Sequence, residues 1–274
     1  MKQHVAQLKK DTASVNNTQL YYERQGNGQT IIMLHGMALD RRSWDQQFNT
    51  FALKFDVVRY DARGYGLSAL PDGHEFSHAE DLQGLIKALN IKKPVLLGAS
   101  MGAQTSLEYA LRYPDDAAAL ILISPILLAW TFSDDALVYF THVVKTARKD
   151  GLDKAKKIML DSKLLRHTST SPNAGHILET MINDYSGFHL LHDSPNKQLH
   201  PPMVEQLKNI NMPILALAGD QEWSETREIL NLISKNIPHA DARIIKGAGH
   251  LINIEDPILF HTLFSDFVKE HQLT

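Results

Sequence analysis

Three features of the sequence predict a doubly wound, mostly parallel α/β sheet of about eight strands with one helical segment inserted into it. The first is a set of near-continuous apolar runs at residues 31–34, 57–58, 95–97, 120–123, 214–217 and 243–245. Strands buried on both faces carry this composition, and parallel sheets are buried in that way. The second is the helix-period stretches at residues 43–55, 78–90, 102–113, 225–236 and 257–270, which alternate with the runs as βαβ units require. The third is a single break in that rhythm. Between Pro125 and Ile210 no strand pattern occurs, only helical candidates at residues 134–149, 152–161 and 174–185, separated by Gly151, Pro172, Gly187 and the segment 195–202.

In chain order, residues 1–12 are polar and read as a flexible N-terminal extension. Residues 13–15 and 19–24 read as two short strands joined at Asn16-Asn17-Thr18, a hairpin signal, and give the sheet an antiparallel edge. The core domain then comprises residues 13–125 and 211–271, and residues 126–210 form a helical cap expected over the carboxyl-terminal edge of the sheet. No internal repeat or low-complexity tract interrupts this organisation.

Composition narrows the function. A chain of 274 residues with 43% hydrophobic residues can fill one large α/β core. The net charge of −3, without a long run of one sign, gives no electrostatic reason to expect a nucleic acid or an anionic membrane as partner. The absence of cysteine excludes disulfides, thiolate metal sites and a cysteine nucleophile. The first residues lack the apolar centre of a secretory signal and no apolar stretch is long enough to span a bilayer, so a cytoplasmic location is expected. Asn16-Asn17-Thr18 also fits a glycosylation acceptor, but in that setting it reads as a turn.

The stretch with most chemical content is Gly98-Ala99-Ser100-Met101-Gly102, between the apolar run at 95–97 and a helix-period segment. A serine hydroxyl is a poor nucleophile at neutral pH unless it is exposed, paired with a base and supplied with donors for the oxyanion it creates. Gly-x-Ser-x-Gly on a strand–turn–helix does the first, and it sets the Met101 N–H at a helix start beside the nucleophile. In an open parallel sheet the site lies outside the carboxyl ends of the strands. The polar residues ending the apolar runs are His35, Asp61, Ser100, the pair Asp220 and Glu222, and His250: serine, acid and histidine in chain order at one edge.

Two competing motifs fail. Gly64-Tyr65-Gly66-Leu67-Ser68-Ala69 fits a dinucleotide-binding fingerprint, yet Pro71-Asp72-Gly73 makes a turn where the phosphate-binding helix should run. Residues 98–102 lack the lysine of a phosphate-binding loop. His189 and His192 stand at helical spacing without a visible third ligand, so neither a metal nor any cofactor is expected.

His35-Gly36, Asp61-x-Arg63-Gly64-x-Gly66-x-Ser68, Gly98-x-Ser100-x-Gly102 and Gly249-His250 followed by Glu255-x-Pro257 occur in an order and spacing that resemble the α/β-hydrolase fold superfamily, in particular its small capped esterases, enol-lactone hydrolases and carbon–carbon hydrolases. The resemblance extends over about residues 15–270. It implies Ser100 as nucleophile, His250 as general base and then acid, and the backbone N–H groups of Met37 and Met101 as oxyanion hole. It places the acid three residues beyond Gly219, at Glu222, where aspartate is commoner; Asp220, two residues away, stays open as the alternative. Some members carry the acid at the position of Ser124, which serine rules out here. His35 and Arg63 read as residues that tie loops together. Serine rather than aspartate as nucleophile excludes epoxide opening and halide displacement.

The expected activity is cleavage of small carboxylic esters or lactones through an acyl-enzyme, by a monomer or homodimer. A ligand sensor with slow or single turnover, a carbon–carbon hydrolase and a cofactor-free perhydrolase use much the same residues and stay open. The apolar segment 126–132, with Ile126, Leu127, Leu128, Trp130 and Phe132, leaves the sixth strand beside the nucleophile. Leu128 and Trp130 are therefore expected in the substrate pocket, which should be apolar.

Overall fold

The computed structural model describes residues 7–127, 130, 132–193, 197 and 199–273. Eight strands, β1 (Lys9–Val15), β2 (Thr18–Gly26), β3 (Thr30–Leu34), β4 (Asp56–Tyr60), β5 (Val95–Ala99), β6 (Ala119–Ile123), β7 (Ile214–Gly219) and β8 (Ala240–Ile245), form one sheet in the order β1-β2-β4-β3-β5-β6-β7-β8. β2 runs antiparallel to both its neighbours and every other pairing from β3 to β8 is parallel. Every residue of β3, β5, β6 and β7 is buried, which is why these strands appear in the sequence as unbroken apolar runs.

The edges depart from expectation. β1 begins at Lys9, inside the segment expected to be flexible, because Lys9 to Thr12 pair with Arg24 to Tyr21. Their side chains are exposed, so an edge strand there leaves no hydrophobic trace. The β1–β2 hairpin closes on Asn16 and Asn17, both at positive φ (44° and 58°), as a two-residue turn between twisted strands requires. At the other edge β8 is only half-buried, with Ile244 48% exposed, rather than covered on both faces.

The core helices are α1 (Asp45–Phe51), preceded by a 3-10 turn (Arg41–Trp44), α2 (His78–Ala88) and α3 (Met101–Arg112). Between β6 and β7 the described residues form helices and no strand: α4 (Asp134–Asp150), α5 (Leu152–Leu160), α6 (Arg166–Thr170), α7 (Gly175–Asp184), α8 (Phe188–Leu191) and α9 (Met203–Gln206), followed by a 3-10 turn (Leu207–Asn209). α10 (Ser224–Asn236), α11 (Ile252–Glu255) and α12 (Pro257–Glu270) complete the core. α4 is stopped at each end in the usual way: the Ser133 hydroxyl accepts from the Ala136 N–H, and Gly151 follows at φ 101°.

The helical insertion, the cap, is fastened to segments that follow the carboxyl ends of four strands. Arg42, after β3, pairs with Asp184 of α7 at 2.8 Å. Tyr65, after β4, stacks on Tyr185 and His189 at 5.6 and 4.7 Å between ring centres. Ser133 donates to Glu225, after β7, and Thr168 of α6 donates to Glu255, after β8. These attachments set the cap over the edge of the sheet where its polar residues gather.

The seam at Tyr65 carries a pH dependence. His78 and His189 are enclosed there with His35, Tyr65, Phe76, Tyr185 and the Arg63 guanidinium, and each has a buried ring nitrogen without a partner among the described residues. Burial pushes the imidazoles down to about 3 (His78) and about 4 (His189). Unfolded histidine titrates near 6.5, so below that value the unfolded chain binds protons the folded chain refuses. Stability is therefore full above about pH 6.5 and declines as pH falls toward the folded values, by up to about 1.4 kcal/mol per pH unit for each histidine. In thermal melts at about pH 7.5, above that window, and about pH 5, inside it, His78→Phe should shrink the drop in Tm. An unchanged drop would assign the acid sensitivity to other groups.

Candidate active site

Ser100 sits between β5 and α3 at φ 53° and ψ −114°, a conformation non-glycine residues rarely adopt and one that costs of order 1–3 kcal/mol. It persists because both flanks are fixed. Its N–H donates to the Ile123 carbonyl at 2.8 Å, and α3 lies so close to the sheet that a Cβ on Gly98 would overlap the Gly102 backbone, while one on Gly102 would overlap the Leu34 carbonyl. The chain must therefore reverse within one residue, and the serine at the apex faces a cavity. Met101 is the first residue of α3, where an N–H has no helical acceptor. Met37, in the loop after β3, lines the same cavity. That loop is braced by His35: its Nδ1–H donates to the Gly36 carbonyl at 2.8 Å, and its Nε2 accepts from the Ala62 N–H at 2.9 Å.

His250 lies in the loop after β8 and also lines this cavity. Its Nδ1 is 2.6 Å from Glu222 Oε2, with both groups buried. The other carboxylate oxygen of Glu222 accepts from the Gly219 N–H at 3.1 Å and is 2.7 Å from the Ser124 hydroxyl, itself 2.9 Å from the His250 carbonyl. With Oε1 held in this way, Oε2 is aimed at the imidazole, which fixes the Nδ1–H tautomer and leaves Nε2 as the basic nitrogen. Asp220 does something else. It accepts from the neighbouring Gln221 at 2.9 Å and from the Gly247 N–H at 2.8 Å, bonds that lower its pKa, Gln221 foremost, and the second of them ties the loop after β7 to the loop after β8. Arg63 likewise joins loops, through a bidentate pair with Asp81 at 2.8–2.9 Å and a bond to the Asn16 carbonyl.

The cavity holding Ser100 and His250 has a volume of about 150 Å³. A larger cleft of about 390 Å³, between the Ala38–Arg42 loop and Met181, Asp184 and Tyr185, does not include Ser100. The cap supplies one wall of the smaller cavity through Ile126, Tyr139, Phe140, Met159, Leu164 and Leu165; the core supplies Met37, Leu39, Met101 and Leu251. Gln104, one turn along α3 from Ser100, is the polar residue of α3 on this otherwise apolar lining, and its side chain has no hydrogen-bond partner among the described residues.

The residues expected in the pocket take different places. Leu128 falls outside the described residues. Trp130 is not among the lining residues: it packs half-buried against the hydrophobic core, and the wall at this strand exit is made by Ile126. Leu127 is buried in the core, and Phe132 packs edge-on against the wall residue Phe140. A loop has no side-chain period, so the sequence could not say which of these faces inward. Gln104 does carry a sequence signal, its position four residues beyond Ser100 on a helix. The cap residues from α4 to α6 had none, since they reach the site only through tertiary packing.

Residues 29–257 match the family model described as alpha/beta hydrolase fold. Among curated proteins, the uncharacterized hydrolase YugF of Bacillus subtilis (strain 168) is 24% identical over 93% of this chain and 96% of its own length. Among solved structures, a thermophilic esterase from Thermogutta terrifontis aligns with a TM-score of 0.75 at 24% identity over 97% of this chain and 99% of that one. The enol-lactonase from Burkholderia xenovorans LB400 aligns at 0.74 and 22% identity over 94% and 100%. The family match takes in most of the chain, including the loops that carry Ser100, Glu222 and His250, and the chain belongs to the alpha/beta hydrolase fold family.

Proposed function

We propose that the protein is a serine hydrolase of small carboxylic esters or lactones, working through an acyl-enzyme at Ser100. The observation that carries this reading is the buried Glu222–His250 pair at 2.6 Å, whose imidazole opens onto the same small cavity as Ser100. His250 Nε2 takes the Ser100 proton as Oγ attacks the scissile carbonyl, and Glu222 holds the tautomer and stabilises the imidazolium. The N–H groups of Met37 and Met101 receive the oxyanion. His250 then protonates the leaving alkoxide, water enters, and the same base activates it to release the acid. Esterase and enol-lactonase neighbours of the same fold support an ester-acting enzyme.

The cavity supports a substrate class by size. An apolar cavity of ~150 Å³ holds a benzene ring, so the acyl part fits roughly six carbons or fewer. Its walls reward buried methylenes at about 0.8 kcal/mol each, about fourfold in rate. With chromogenic esters of increasing chain length, kcat/KM should rise over the first few carbons and fall once the cavity is full. Met159→Ala should shift the optimum toward longer chains. A flat profile, or a strong preference for charged acyl groups, would count against this cavity as the acyl site.

Ser100→Ala should abolish multiple turnover on the best of these esters while the protein keeps its far-UV circular dichroism. Turnover near the wild-type level in that variant contradicts the covalent mechanism, and a wild-type protein that stops after a single turnover fits a sensor instead.

Glu222→Gln should lower kcat much more than Asp220→Asn, since only the carboxylate that accepts from His250 fixes the ring. Loss of the corresponding member in a known triad costs about ten-thousandfold. The reverse order in steady-state kinetics would move the acid to Asp220.

A further inference from the structure

Glu255 is buried at the end of α11 and does not touch the cavity, yet it is bonded to both sides of His250. Its Oε2 accepts from the Gly249 N–H at 2.6 Å and its Oε1 from the Leu251 N–H at 3.2 Å. These amides immediately precede and follow the His250 ring, so the carboxylate acts as a two-point clamp on the catalytic loop. The same two oxygens are shared with the cap. Thr168 of α6 donates its hydroxyl to Oε1, His167 Nδ1 lies 3.2 Å from Oε2, and Asn173 Nδ2 donates to the Glu255 carbonyl at 3.1 Å. Gly249 is packed so tightly against Glu255 and His167 that an added Cβ would collide with both. The residues just before α6, Leu164 and Leu165, are walls of the cavity.

We propose that Glu255 is a positioning residue that makes the alignment of His250 depend on the seating of the cap, with Thr168 and His167 as the latch. This rests on the assignment of His250 as the base. When the latch is made, the carboxylate accepts four hydrogen bonds and is held from the core and from the cap at once, so the loop bearing His250 has one position. When α6 lifts, Glu255 loses the donors that fix its outer side, and a buried carboxylate left short of donors reorients toward water or other amides. The loop it clamps moves with it. A displacement of the base of about 1 Å costs on the order of a hundredfold in a positioned reaction. The cap thus serves the chemical step as well as enclosing the substrate: the base is aligned only while the walls at Leu164 and Leu165 are in place around the acyl group.

The test uses Thr168→Val, which keeps shape and loses the donor, and Thr168→Ser, which keeps the donor. Both are assayed on the chromogenic butyrate ester, with kcat expressed per site titrated by an organophosphonate that reacts with the active serine. Thr168→Val should lower kcat per titrated site by roughly tenfold with KM within about threefold, the pattern of an interaction made in the transition state. Thr168→Ser should recover most of the loss. Three outcomes would overturn the latch: kcat per site unchanged with only the titrated fraction or Tm reduced, which marks a structural contact; a rise in KM alone, which marks a wall of the binding site; and failure of serine to rescue. Wild-type protein that neither turns over the ester nor reacts with the phosphonate would instead remove the hydrolase reading itself, and the latch with it.

Discussion

The site depends on the close contact of α3 with the sheet. Gly98 and Gly102 let the helix start almost against β5 and the Leu34 carbonyl, and this leaves Ser100 no path except a left-handed φ. The strain is small beside what holds it, since β5 is the buried centre of an eight-stranded sheet and cannot shift without disturbing β3 and β6. One consequence is geometric: the Ser100 hydroxyl and the N-terminus of α3 are fixed within one residue of each other, so in the proposed mechanism the donor for the developing charge comes with the turn. Another is architectural, because every other site residue has to arrive from loops at that same edge.

Those loops are held mainly by carboxylates and imidazoles that bond to main-chain groups. Glu222 takes the Gly219 amide, Asp220 the Gly247 amide, Glu255 the amides of Gly249 and Leu251, Asp61 the amides of Arg41 and Leu67, and His35 the amide of Ala62. Loop backbone carries unpaired donors, and burying them requires such acceptors. The acids in the loops after β4, β7 and β8 are thus explained by structure in most cases; among these carboxylates only Glu222 has an oxygen pointing at the His250 ring.

The sequence showed the parts of this protein that physics writes as composition. β3, β5, β6 and β7 are enclosed on both faces and are therefore apolar without a break, and the long helices α4, α10 and α12 keep a helical period between recognisable stops. β1 was partly hidden because an edge strand with exposed Lys9, Lys10 and Asp11 looks like a tail. The short cap helices α6, α8 and α9 span about one turn each, too little for periodicity to register. At the site, Ser100 and His250 stand where strands end, and the spacing from Gly219 already favoured Glu222 over Asp220; what spacing does not contain is that the Glu222 carboxylate lies against the His250 ring while Asp220 bonds the Gly247 amide. The inward wall at Ile126 rather than Trp130 was invisible for the same reason.

The proposed mechanism requires Ser100 to become covalently acylated. Rapid acid quench of the enzyme mixed with an excess of the chromogenic butyrate ester, followed by intact-mass and peptide mass spectrometry, reads that directly. The expected result is a butyryl increment confined to the peptide bearing Ser100, formed at the rate of the chromophore burst and absent when Ser100 is alanine. Hydrolysis at the normal rate with no acylated peptide at any quench time, or an acyl group mapped to a different residue, would contradict it.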